Sequence, residues 1–104
     1  MTYIEELRDV IRKLHGAEAV HVETIPIKES FQGKTVWEGE VEVFDLKDHP
    51  QAFRAYAWAH DTDDPEKPRR HITVLHLNAI KSARDAVRAA IVQEFRNLGT
   101  AEES

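Results

Sequence analysis

Three glutamates at alternate positions, Glu38, Glu40 and Glu42, precede the segment Arg54-Ala-Tyr-Ala-Trp-Ala-His60, in which every second residue is alanine. Both stretches have the two-residue period of a β-strand, whose side chains point alternately to opposite faces. A hairpin made symmetric about its turn sets Glu38 beside His60, Glu40 beside Trp58 and Glu42 beside Tyr56. The strand after it adds His76 to Tyr56, Val74 to Trp58 and Ile72 to His60. A carboxylate beside an imidazole stabilises the imidazolium and fixes the ring's tautomer. Glu38–His60 and Glu42–Tyr56–His76 are therefore the candidates for general acid–base chemistry. Such pairs also arise as ordinary cross-strand contacts, so the pattern nominates residues without naming a reaction.

Other chemistries find less support. Zinc ligands must converge within about 2 Å of one point. His71 and His76 are an odd number of residues apart and fall on opposite faces of one strand. His60 and His76 share a face but are offset by four residues, roughly 13 Å along a strand. His15, His21 and His49 sit at element ends, and neither helical segment carries His-x-x-x-His. Asp61-Thr-Asp-Asp64 lacks the glycine and the later bidentate glutamate of a calcium loop. There is no cysteine, and the four glycines are isolated rather than gathered into a phosphate loop. No metal and no cofactor is expected.

The positioning elements follow from periodicity. Residues 2–15 place Tyr3, Ile4, Leu7, Val10, Ile11 and Leu14 on one helical stripe. Thr2 with Glu5 has the capping-box spacing, and Gly16 is a natural stop. Strands are expected at 20–27, 35–46, 52–61 and 70–77, with Pro26 marking the first as an edge strand or near its end. A second helix is expected at 82–98, with Ser82 and Asp85 at its start, Gly99 ending it and a frayed tail at 100–104. Its apolar face would hold Ala83, Val87, Ala90, Ile91, Phe95 and Leu98.

The resulting fold class is α+β: one domain over 1–99 in the order α-β-β-β-β-α, a four-stranded antiparallel meander with both helices packed on one face. Ala55, Ala57 and Ala59 would let the helices approach, flanked by Trp37, Val41, Val43, Leu75 and Leu77. The opposite, outer face would carry Phe44, Arg54, Tyr56, Trp58, Ile72 and Val74. An exposed patch of that kind marks an interface or a ligand groove. The leading expectation is a homodimeric interaction module anchored on Trp58. A small-molecule or acid–base site on Glu38, Glu42, Tyr56, His60 and His76 is the alternative.

Composition narrows the remaining classes. Apolar residues make up 41% of 104, enough for one core, and no apolar run approaches a membrane span. A cytoplasmic protein is expected. The formal net charge of −5 opposes a phosphate backbone. The α-β-β-β-α order nonetheless resembles the double-stranded RNA-binding domain, with Lys81-Ser-Ala-Arg84, Ala86 and Ala89-Ala90 resembling the start of its second helix. That resemblance implies an RNA-binding domain. Here there is a further strand, and a single lysine opens the helix.

Overall fold

A computed structural model describes residues 2–62, 64–66 and 68–103, with side chains described as far as Gln93. Its elements are α1 (Tyr3–His15), β1 (Glu18–Phe31), β2 (Lys34–Lys47), β3 (Arg54–Asp61), β4 (Arg69–Leu75) and α2 (Ala83–Glu103). The strands form one antiparallel sheet in the order β1-β2-β3-β4, so the α-β-β-β-β-α meander stands as expected. Pro26 lies on an edge strand, where a missing N–H is tolerated.

Local chemistry sets the ends of the elements. Thr2 Oγ1 accepts the Glu5 amide at 3.1 Å while Glu5 Oε2 accepts the Thr2 amide at 3.3 Å, closing the capping box. Gly16, at φ 66°, donates its amide to the Arg12 carbonyl at 2.9 Å. At α2 the box is offset by one residue: Ser82 Oγ accepts the Asp85 amide, but Asp85 accepts the amide of Lys81. That helix continues through Gly99 to Glu103, so the expected stop at Gly99 is not where it ends. Phe95 and Leu98 lie outside the described side chains. Gln32 and Gly33, at φ 51° and 78°, make a two-residue turn. Positive φ at both positions suits the right-handed twist of a hairpin, so β1 and β2 run right up to the turn.

Register departs from the symmetric hairpin by one residue. Tyr56 pairs with Val43 and Ala57 with Glu42, not Tyr56 with Glu42. A slip of one exchanges the faces of a strand. Across the next hairpin Tyr56 pairs with Val74, Trp58 with Ile72 and His60 with Arg70, a shift of two that leaves the faces unchanged. The helices therefore do not share a face. Leu7 and Ile11 of α1, both fully buried, pack with Ala19, Phe44, Leu46, Ala55 and Ala57. Ala83, Ala86 and Val87 of α2 pack with Ile27, Val41, Val43, Tyr56 and Trp58 on the other side. Burying a side chain such as Leu7 contributes about 2 kcal/mol. Each half of the 54–60 alternation thus receives its own helix, the alanines α1 and the aromatics α2.

Two β-bulges shape the long hairpin. Val22 is the extra residue on β1 between the pairs His21–Phe44 and Glu23–Val43. Val36 is the extra residue on β2 between Glu29–Trp37 and Ser30–Thr35. The first bulge exchanges the parity of β1, so that Ala19 belongs to the α1 side while Ile25 and Ile27 belong to the α2 side.

The sheet also forks. β2 and β3 pair only between Glu42–Asp45 and Arg54–Ala57. Beyond that, β2 stays with β1 and β3 with β4. On the α1 side, the Ala59 amide donates to the Tyr3 hydroxyl at 2.9 Å. On the α2 side, Trp37 meets Trp58 edge to face, centroids 5.6 Å apart. Gly39 makes room for this: a Cβ there would lie 3.2 Å from the Trp37 ring.

Candidate functional site

The outer face expected to anchor a partner is covered. Tyr56 and Trp58 are each 2% exposed beneath α2, with Ile72 and Val74 packed against the same cluster. Phe44 is fully buried on the α1 side. Arg54 is half-buried, with Nε 3.1 Å from Asp45 Oδ1 and its guanidinium over the Phe53 ring. The one-residue slip is the physical reason, because it brings Val41 and Val43 to the aromatic face and completes an apolar bed for α2.

The expected acid–base groups are dispersed in the same way. Glu38 and His60 lie beyond the fork, where β2 and β3 do not pair. Glu38 is exposed, 3.8 Å from Lys28 Nζ. Tyr56 and His76 do meet, with the hydroxyl 2.7 Å from His76 Nδ1, and burial pushes the Tyr56 phenol upward. Glu42, however, belongs to the opposite face. It is 4% exposed and receives the Thr24 hydroxyl and His21 Nε2, the latter at 2.9 Å. The Val22 bulge is what brings His21 and Thr24, three residues apart, to one carboxylate. Only one glutamate needs this help, because the fork leaves Glu38 and Glu40 exposed.

Two further networks join helices to the sheet. Glu6 on α1 bonds His71 Nε2 at 2.6 Å with one oxygen and Arg69 at 2.8 Å with the other. The His71 hydrogen bond, helped by Arg69, holds the Glu6 carboxyl below the usual range. Arg69 and His71 border an open cleft of about 490 Å³ between α1 and β4, walled also by Val10 and Leu14. On the other side, Glu29 takes Arg84 at 3.0 Å and Arg88 at 2.9 Å on a single carboxylate oxygen. Arg84 and Arg88, on the basic face of α2, are thus both paired with Glu29 while their side chains stay 47% and 61% exposed. His15, 2.7 Å from Thr73 Oγ1, has its pKa lowered by burial and by the neighbouring charge of His49.

A predominantly apolar groove of about 510 Å³ lies between the tip of the β1–β2 hairpin and α2. Phe31, Val36, Ile91 and Val92 line it, with Glu29 and Arg88 at its polar side. Phe31 is 65% exposed, Val92 50% and Val36 40%. Strands expected at 20–27 and 35–46 leave Phe31 between them and Val36 in regular strand, so the groove does not show in the sequence; Gln32-Gly33 as a two-residue hairpin turn is the available signal. Among the described residues no three His, Asp or Glu side chains gather as a metal site, and no described helix is long and apolar enough to cross a membrane. Comparison with known protein families, curated proteins and solved structures finds no match in any of the three.

Proposed function

We propose that this protein is a homodimeric interaction module whose contact is the hairpin-tip groove rather than the outer sheet face. The observation that carries the proposal is Phe31: a large aromatic, 65% exposed, beside an apolar groove that it helps to line. One surface therefore presents both a knob and a hole. A two-fold axis uses the same patch on both chains, so knob and hole on one patch suit self-association. Aromatic residues at the centre of such a contact usually dominate its energy.

The sheet edges favour this choice. β1 is a long edge strand, but the Val22 bulge and Pro26 interrupt its ladder groups, and features of that kind discourage edge-to-edge pairing. At the groove, Glu29 offsets one of the two arginine charges, which limits repulsion where identical surfaces meet. Cytoplasmic residence is part of the same proposal, and a chain without cysteine, having no disulfide to lose in a reducing compartment, is compatible with it.

Mixing isotope-labelled with unlabelled chains tests the contact. Intermolecular nuclear Overhauser effects between the Phe31 ring and the Val92 methyl groups are expected. A concentrated sample showing these effects only within one chain overturns the assignment.

A further inference from the structure

The sheet does not cover the whole apolar stripe of α1. Leu7 and Ile11 are fully buried in the core, whereas Val10 is half-buried and Leu14 is 63% exposed. Val10 and Leu14 are four residues apart, so they lie on one side of the helix. A lone exposed aliphatic residue needs no explanation, but these two together wall the cleft of about 490 Å³ between α1 and β4. That volume falls within the roughly 300–1,000 Å³ of small-molecule sites.

The β4 side of the cleft is cationic. Arg69 and His71 are alternate residues of one strand and share a face. Glu6 takes Arg69 at 2.8 Å and His71 Nε2 at 2.6 Å, which fixes the two side by side. It uses one of the five N–H groups of the guanidinium, and the Arg69 side chain stays 47% exposed. Lys13 and Arg70 also line the cleft, with Asp64 as its one acid among the described residues. Lys13 is paired with Asp9, but both are open to water and such pairs contribute little. Glu6 offsets a second cation from outside the lining. The surplus that remains suits a ligand with a single negative charge, and the planar fork of an arginine matches a carboxylate.

We infer that the cleft between α1 and β4 binds a small amphipathic monocarboxylate, its carboxylate on the Arg69 guanidinium and its aliphatic body along Val10 and Leu14. The cleft has no lining residue in common with the hairpin-tip groove, and the helices that wall the two lie on opposite faces of the sheet. Binding therefore does not require self-association.

Hexanoate is the probe, with hexan-1-ol and acetate as controls that keep only its tail or only its charge. In the full chain, titration with millimolar hexanoate is expected to move the Leu14 methyl and Arg69 side-chain resonances saturably. Hexan-1-ol and acetate are each expected to bind about tenfold more weakly. Arg69→Met, which keeps the aliphatic stem, is expected to lose about tenfold for hexanoate and nothing for hexan-1-ol. Leu14→Ser, at an exposed position, is expected to weaken hexanoate and hexan-1-ol together, with circular dichroism reporting an intact fold. If Arg69→Met does not fold, the comparison of the three probes on the unaltered chain decides. Resonances that stay fixed in hexanoate, equal affinity for either control, or an Arg69→Met chain that binds hexanoate as its parent does overturns the inference. So does inorganic phosphate binding more tightly than hexanoate, which would make the cleft a plain anion site.

Discussion

Tyr3 and Ala59 are joined by a hydrogen bond, 2.9 Å from the Ala59 amide to the tyrosine hydroxyl, that ties the first turn of α1 to β3 beyond its last pair with β2. The hydroxyl provides an acceptor where β2 no longer runs alongside β3. Burial pushes the Tyr3 phenol upward, and it stays a neutral hydroxyl at ordinary pH.

Replacing Tyr3 by Phe removes that acceptor and little else. The expected cost is about 1 kcal/mol, read as a lower urea midpoint with an unchanged slope. Amide exchange at Ala59 should accelerate more than at Ala55. Uniform acceleration along β3 contradicts the local role given to the tyrosine.

On the other side of the fork, Gly39 lets the Trp37 ring cross β2. In a Gly39→Ala chain the new methyl would meet the ring at 3.2 Å, and the indole must give way. We expect a loss of about 1 kcal/mol and a changed near-ultraviolet circular dichroism signal from the Trp37–Trp58 pair. An unaltered spectrum means that the ring does not depend on the glycine.

The polar networks make stability sensitive to acid in two separate windows. His15 has its pKa lowered by burial, so below its ordinary value of 6.5 the unfolded chain takes up a proton that the folded chain resists. Stability therefore falls as the pH drops from 6.5 toward the folded value. Glu6 is held below its ordinary value of 4.5, chiefly by His71, so its contribution is present above 4.5 and lost as the pH falls through the folded value. His15→Gln, which can still bond Thr73, should flatten the upper limb only. Glu6→Gln should flatten the lower limb only. Urea midpoints against pH check both, and a variant that leaves its own limb unchanged rules out that residue's part.

Most of the architecture was legible in the sequence, and the departures have a common origin. Strand order, the Thr2–Glu5 cap and the Gly16 stop follow from short-range rules that tertiary contacts did not override. The faces were misjudged because registry between β2 and β3 is set by the connection between them, where Asp48 takes a positive φ of 61° and the Leu46 amide bonds the Phe53 carbonyl. Nothing in a two-residue alternation encodes that geometry. The register found puts Glu42, and by alternation Glu38 and Glu40, on the alanine face, where burying three carboxylates is an energetic objection. The fork removes the objection by exposing two of them, and a bulge at Val22 supplies His21 and Thr24 to the third. Those are long-range solutions to a local conflict, and they are where a strand-by-strand reading stops.

Glu29 offers a test of the groove's framework. Its carboxylate holds Arg84 and Arg88 together, and its side chain is 10% exposed while theirs are 47% and 61%. Because the arginines can turn to water, Glu29→Ala should cost less than loss of a fully buried pair, about 1–2 kcal/mol. Chemical denaturation in low and high salt checks this, with the difference from the unaltered chain shrinking as salt screens the pair. A loss independent of salt points to packing rather than charge.

Sedimentation equilibrium of the full chain and of Phe31→Asp at micromolar concentrations bears most directly on self-association through the groove. The unaltered chain should approach 23.8 kDa, twice the 11.9 kDa of one chain. It should associate more tightly as salt screens the formal charge of −5 on each copy. Phe31→Asp should stay at 11.9 kDa, with a dissociation constant raised about a hundredfold or more. A mass of 11.9 kDa for the unaltered chain at every concentration, or a Phe31→Asp chain that dimerises as well as its parent, contradicts the proposal.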